Sequence, residues 1–228
     1  MMGNENDDYV KKEYYKPGEL KYEVPYVNDK ENGVRKDYYK SGALKYEIPY
    51  VNGEINGVKK YYYKSGALRY EVLCISDKQN GVMKGYYESG VLKYEILYVN
   101  GKINGVNKYY YESGELKYEA LYKNGQLKEE TPYVNGEKNG IAKSYYESGE
   151  IWCEIPYEND KKNGVWRWYY KSGALKEESP YENDKINGVA KWYYESGQIK
   201  EDVLYENGDT IAYKRYDESG KLLDIYKR

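Results

Sequence analysis

With 38 Asp and Glu against 36 Lys and Arg, acid–base chemistry is the first thing this 228-residue sequence could offer. Paired carboxylates hydrolyse glycosides, and Glu47, Glu71, Glu95 and Glu119 recur at one spacing beside the equally regular Lys36, Lys60, Lys84 and Lys108. A charge that returns at every turn of a repeat reads as a solvated strand position that deters edge pairing and keeps a sheet soluble. There is no His, so the commonest general base and zinc ligand is missing. Neither a GxxxxGK[ST] loop nor a GxGxxG loop occurs, and no kinase signature is present. Cys74 stands where other copies carry Tyr50, Tyr98 or Tyr122, and Cys153 where they carry Tyr46, Tyr70 or Tyr94. At roughly 10 Å per hairpin, three repeats put them ~30 Å apart, beyond a disulfide's reach of about 7 Å; they read as free thiols. The stretch Asn28-Asp29-Lys30-Glu31-Asn32-Gly33 partly matches a calcium loop. Lys30, however, occupies a ligand position and the distant Glu is missing. This stretch, and those headed by Asn159-Asp160 and Asn183-Asp184, read as hairpin turns. The expectation is a non-catalytic protein with no cofactor and no metal site.

What is left is aromatic. All four Trp lie between positions 152 and 192. Trp166, Trp168 and Tyr170 alternate along one strand, and Trp192 and Tyr194 are the equivalents of Trp168 and Tyr170 one repeat later. Trp and Tyr dominate interface hot spots, and exposed aromatic patches usually bind something. These five residues are the candidate partner-binding site. The competing readings are a self-interface and plain packing under a curved sheet.

The elements that must position them come from a repeat. Gly18, Gly42, Gly66, Gly90 and Gly114 are 24 apart, and the series resumes at Gly149, Gly173, Gly197 and Gly220. Asn-Gly pairs, such as Asn32-Gly33 and Asn56-Gly57, run alongside. Each unit holds two short runs rich in Val, Ile and Tyr, Val34 to Tyr39 and Leu44 to Tyr50, bounded by turn residues; these are strand signals. The connection Lys40-Ser41-Gly42 suits a three-residue hairpin with Gly in the left-handed region. That turn sets Tyr39 opposite Ala43 and Tyr38 opposite Leu44. Simple alternation from there puts Val34, Lys36, Tyr38, Leu44, Tyr46, Ile48 and Tyr50 on one face. Arg35, Asp37, Tyr39, Lys45, Glu47 and Pro49 then share the other, otherwise polar face, and the aromatic five fall with them.

The fold class expected is all-β: tandem hairpins forming one long, twisted and curled antiparallel sheet of about 19 strands. Residues 1–8 are expected to be a disordered N-terminus. Residues 9–228 are expected to be a single repeat domain of nine units, with an 11-residue half-unit near 123–133 that copies only a second strand. One extra strand should reverse strand direction and move later Ser-Gly turns to the opposite edge. The apolar face must be covered by rolling or by a second copy, which allows a homodimer.

Near-neutral charge argues against nucleic acid. No apolar run is long enough to span a membrane, and Met1–Asp8 has no signal-peptide pattern. A cytoplasmic protein is expected, the alternative being an exported one whose signal is absent from this chain.

The unit NG-V-x-K-x-YY-x-SG-x-L-K-Y-E-x-P-Y-x-NG resembles the MORN repeat in its bacterial variant form, from Tyr9 to Tyr226. Such proteins are often classed as YwqK-type antitoxins of toxin–antitoxin systems, and others carry the label phosphatidylinositol-4-phosphate 5-kinase. The resemblance implies a hairpin array that associates with a protein partner or, less readily, with membrane lipid. The missing kinase signatures speak against the second label.

Overall fold

The computed structural model describes residues 8–228, so residues 1–7 of the expected disordered segment lie outside the described residues. Every element is a strand; no helix occurs among the described residues. Nineteen strands of six to nine residues alternate with seven of two residues. The chain divides into two compact units, Met1–Gly114 and Glu115–Arg228. Within each unit the longer strands pair antiparallel in chain order, as Gly33–Tyr38 does with Leu44–Val51 and Leu44–Val51 with Gly57–Tyr62.

Two kinds of turn build the hairpin. At Ser41-Gly42, Tyr39 N–H donates to Ala43 O at 2.8 Å and Gly42 N–H to Tyr39 O at 2.9 Å. Gly42 has φ 84°, the left-handed backbone that a Cβ penalises. At the other end of the strand, Asn52 and Gly53 both take positive φ, the type I′ geometry that matches strand twist. Where Asp replaces this Gly, its carboxylate takes a further bond. Asp77, Asp160 and Asp184 accept from the backbone N–H of Ile55, Lys138 and Lys162 in the preceding hairpin, at 2.7–2.9 Å. These loops spend their carboxylates on joining repeats.

The expected pairing of Tyr38 with Leu44 is found, but the expected faces are not. A bulge at the next position leaves Lys45 unpaired, so Asp37 faces Tyr46, Lys36 faces Glu47, Arg35 faces Ile48 and Val34 faces Pro49. Opposed residues share a face. Arg35 and Asp37 therefore lie with Tyr46, Ile48 and Tyr50, while Val34, Lys36 and Tyr38 lie with Leu44, Glu47 and Pro49. A one-residue slip exchanges faces, and the same bulge supplies that slip in the hairpins of Gly57–Tyr62, Gly81–Tyr86, Gly140–Tyr145, Gly164–Tyr169 and Gly188–Tyr193. Burial agrees with the corrected assignment. Val24, Ile48, Val72, Cys74, Cys153, Ser179, Ala190, Val203 and Asn107 are all buried, and all occupy positions equivalent to Arg35, Tyr46, Ile48 or Tyr50. On the other face Val34, Val58, Val82, Val106, Ile141 and Val189 are exposed.

The repeated Tyr-Tyr pair ties hairpins together in both directions. The first Tyr reaches back: Tyr38, Tyr62, Tyr145 and Tyr169 donate to Glu23, Glu47, Glu130 and Glu154 at 2.7–2.9 Å. The second reaches forward: Tyr39, Tyr63 and Tyr146 donate to the carbonyls of Tyr62, Tyr86 and Tyr169 at 2.7–2.8 Å. The bulged cation stacks on this second ring, as Arg69 does over Tyr63 at 5.7 Å and Lys93 over Tyr87 at 5.1 Å.

The half-unit becomes a full strand, Gln126–Val134, between Leu116–Lys123 and Gly140–Tyr145. Strict antiparallel pairing then puts the start of Leu116–Lys123 on the edge opposite the Ser148-Gly149 turn, as the odd strand requires. A change of face accompanies the change of edge. Ala120 pairs with Glu130, which pairs with Lys143, whereas Leu121 pairs with Glu129, then Ser144, then Cys153. Buried Ala120 thus lies on the opposite face from buried Cys153. Reversing strand direction while keeping the chain order across a sheet turns a handed hairpin over.

Candidate functional site

Across the first unit, one row of the buried face runs Tyr22, Asp37, Tyr46, Tyr61, Tyr70, Gly85, Tyr94 and Tyr109. Tyr61 and Tyr70 stack at 4.3 Å, and Tyr46 lies 5.4 Å from Tyr61. Gly85 lets Tyr94 lie across the strand: a Cβ there would stand 2.1 Å from its ring. The same row in the second unit reads Glu129, Ser144, Cys153, Trp168, Glu177, Trp192, Glu201 and Arg215. Tyrosine has gone, and indoles and carboxylates have replaced it.

Trp166, Trp168 and Trp192 therefore sit on the largely buried face of the second unit, half-buried themselves. The expectation that they share the polar face is corrected, for the register reason given above. Trp166 and Trp168 stack at 5.7 Å and 28°. Trp152, the bulged residue of its strand, meets Trp168 edge-on at 4.5 Å and 64°. Trp166 also contacts Tyr181 at 5.3 Å and donates from Nε1 to Cys153 Sγ at 2.8 Å. Burial pushes the Cys153 thiol up, against the opposing effect of that indole bond. Lys162 Nζ lies 4.4 Å above the Trp166 ring, and Lys138 Nζ lies 5.3 Å from the Tyr157 ring; both are cation–π contacts.

Tyr170 and Tyr194 are placed elsewhere. Their hydroxyls donate to the carbonyls of Tyr193 and Tyr216 at 2.8 and 2.9 Å, so they belong to the forward ties between hairpins. Trp152, in turn, is a site residue that the alternation pattern missed, because a bulged position obeys no alternation.

Beside the indoles opens a groove of about 290 Å³, with Trp152, Trp166 and Trp168 on one side. Glu129, Thr131, Ala142, Ser144, Cys153, Lys138 and Lys143 are among its other lining residues. In the groove, Glu129 and Ala142 are smaller than the residues at the equivalent positions of the first unit, such as Tyr46 and Arg35. Its residues are suited to holding a chain segment by ring contact and hydrogen bonding. No group of three or more Asp, Glu or Cys that could hold a metal ion occurs among the described residues.

The recurring hairpin can be assigned by comparison. Residues 31–52, 79–100, 103–124, 122–135, 138–159, 162–183 and 186–207 each match the MORN repeat variant. The chain belongs to the MORN repeat variant family. Its MORN repeats are units of a scaffold, and such repeats serve as binding modules for protein or lipid partners. No curated protein matches the chain. The matches bracket the half-unit, which is itself matched at 122–135. The tryptophan groove thus lies among matched repeats and is lined in part by that added strand.

Proposed function

We propose that this MORN-repeat chain is a non-catalytic scaffold that captures a protein partner on the tryptophan face of its second unit. The observation that carries this reading is the cluster of Trp152, Trp166 and Trp168 beside the groove, where the tyrosine packing of the first unit gives way. Half-buried indoles next to an open cleft are the usual anchors of an interface. The recurring Glu residues do not compete as catalysts, because tyrosine hydroxyls from the neighbouring repeat occupy them.

Capping of a toxin by an antitoxin of the YwqK type, in the cytoplasm, fits a stoichiometric protein partner of this kind. The test is capture of partner proteins from lysate of the source organism, comparing wild type with Trp166→Ala/Trp168→Ala. Both baits are first matched on a sizing column and by circular dichroism. Removing two hot-spot indoles should weaken a partner's binding more than about a hundredfold. Equal retention by both baits removes the docking role. Retention of vesicles or glycans, and of no protein, would favour instead an exported protein that binds lipid headgroups or sugars.

A further inference from the structure

On the tryptophan row, Trp192 has Glu177 opposite it on one neighbouring strand and Glu201 on the other. Glu177 in turn lies opposite Trp168. Directly opposed side chains in a sheet have Cβ atoms about 5 Å apart, so two indoles and two carboxylates alternate at contact spacing. We infer that the Trp168–Glu177–Trp192 row is a receptor for a lysine or arginine side chain on a basic segment of the protein partner. The inference rests on the docking reading above and names the chemistry of what docks.

The protein's own cations show what such a row accepts. Arg215, at the end of the row, donates from Nε to Glu201 at 2.9 Å while its guanidinium lies 4.8 Å from the Tyr213 ring. Arg35 does the same in the first unit, donating to Asp37 at 2.9 Å with its guanidinium 4.9 Å from the Tyr22 ring. Each is a cation held between a carboxylate and an aromatic face. The stretch from Trp168 to Trp192 repeats the carboxylate and the rings without the cation. Glu177 accepts from the buried Ser179 hydroxyl at 2.7 Å, which fixes its carboxylate. Among the described residues no Lys or Arg comes within 4.0 Å of it. Charge complementarity therefore selects a basic occupant for this row, and an indole is the best of the aromatic faces for a cation.

The test uses the full chain and two labelled probes, a short alternating Lys–Ala peptide and its Glu–Ala counterpart, read by fluorescence anisotropy. Variants are Glu177→Gln, Trp192→Ala and, as a control for general charge, the exposed Glu218→Gln. Binding of the Lys–Ala peptide, weakened about tenfold or more by Glu177→Gln and by Trp192→Ala but not by Glu218→Gln, supports the receptor. Equal weakening by all three variants, or by none, overturns it, as does preference for the Glu–Ala peptide. Binding confined to phosphatidylcholine vesicles also overturns it, since the cation would then come from a lipid headgroup. The docking reading fails separately: there, the partner captured by wild type is also captured by Trp166→Ala/Trp168→Ala. If that pair loses the partner while Glu177→Gln keeps it, the receptor alone is wrong.

Discussion

Gly85 shows how a single missing side chain organises a face. It stands in the tyrosine row opposite Tyr94, whose ring fills the space that a Cβ would need. Gly85→Ala is expected to cost about 1–3 kcal/mol through overpacking, seen as a lower midpoint in thermal unfolding; an unchanged midpoint would mean that the ring moves freely. Burial on the first unit's face falls on small residues such as Val72 and Cys74, and in the second unit on Ala190 and Ser179. Composition announced the aromatic content, and alternation found Trp166, Trp168 and Trp192. Neither could place Trp152 in the cluster. Alternation gave no sign that the Tyr170 and Tyr194 hydroxyls bind the next hairpin. The carboxylates of the row, Glu177 and Glu201, were not singled out, because nothing in the sequence marks a charge as the neighbour of an indole on the adjacent strand.

The hairpin was the most legible element. Its turn residues, its strand pairs and its period follow from Gly, Asn and Ser spacing, and the nineteen longer strands match the count expected from the repeat. The faces were not legible, because the bulge at Lys45 and its equivalents has no signal of its own: any residue type fits, and Lys, Arg and Trp all occur there. The ties between hairpins belong to this scale. Tyr170→Phe removes one forward bond and is expected to cost about 1 kcal/mol without altering partner capture. Loss of capture in Tyr170→Phe would return that residue to the binding site. The backward ties carry a pH dependence. Burial first, and then the hydrogen bond to Glu, hold the Tyr38, Tyr62, Tyr169 and Tyr193 phenols up at about 12, against an ordinary 10.0. The neutral phenol is the form that the fold favours, so this stability is complete below about pH 10 and is lost as pH rises through about 12. Circular dichroism followed against pH should show an alkaline unfolding step in that window. Ionisation of all the tyrosines near their ordinary value, with the sheet intact, would contradict the assignment.

For the molecule as a whole, the half-unit is the decisive feature. It adds one strand, Gln126–Val134, and brings Glu129 and Thr131 into the lining of the groove. Deleting residues 124–134 joins Lys123 to Asn135-Gly136 and restores the regular spacing between Ser-Gly turns. Such a chain is expected to keep its strand content by circular dichroism but to lose partner capture, because Glu129 and Thr131 no longer line the groove. A deletion variant that still binds would locate the site away from the groove. The most direct measurement is the binding isotherm of the captured partner against wild type and Trp166→Ala/Trp168→Ala, with both proteins confirmed as folded. Binding by wild type, weakened more than about a hundredfold in the variant, is the result expected of a scaffold that docks through its tryptophan face. Superimposable isotherms would contradict it and leave the indoles as packing alone.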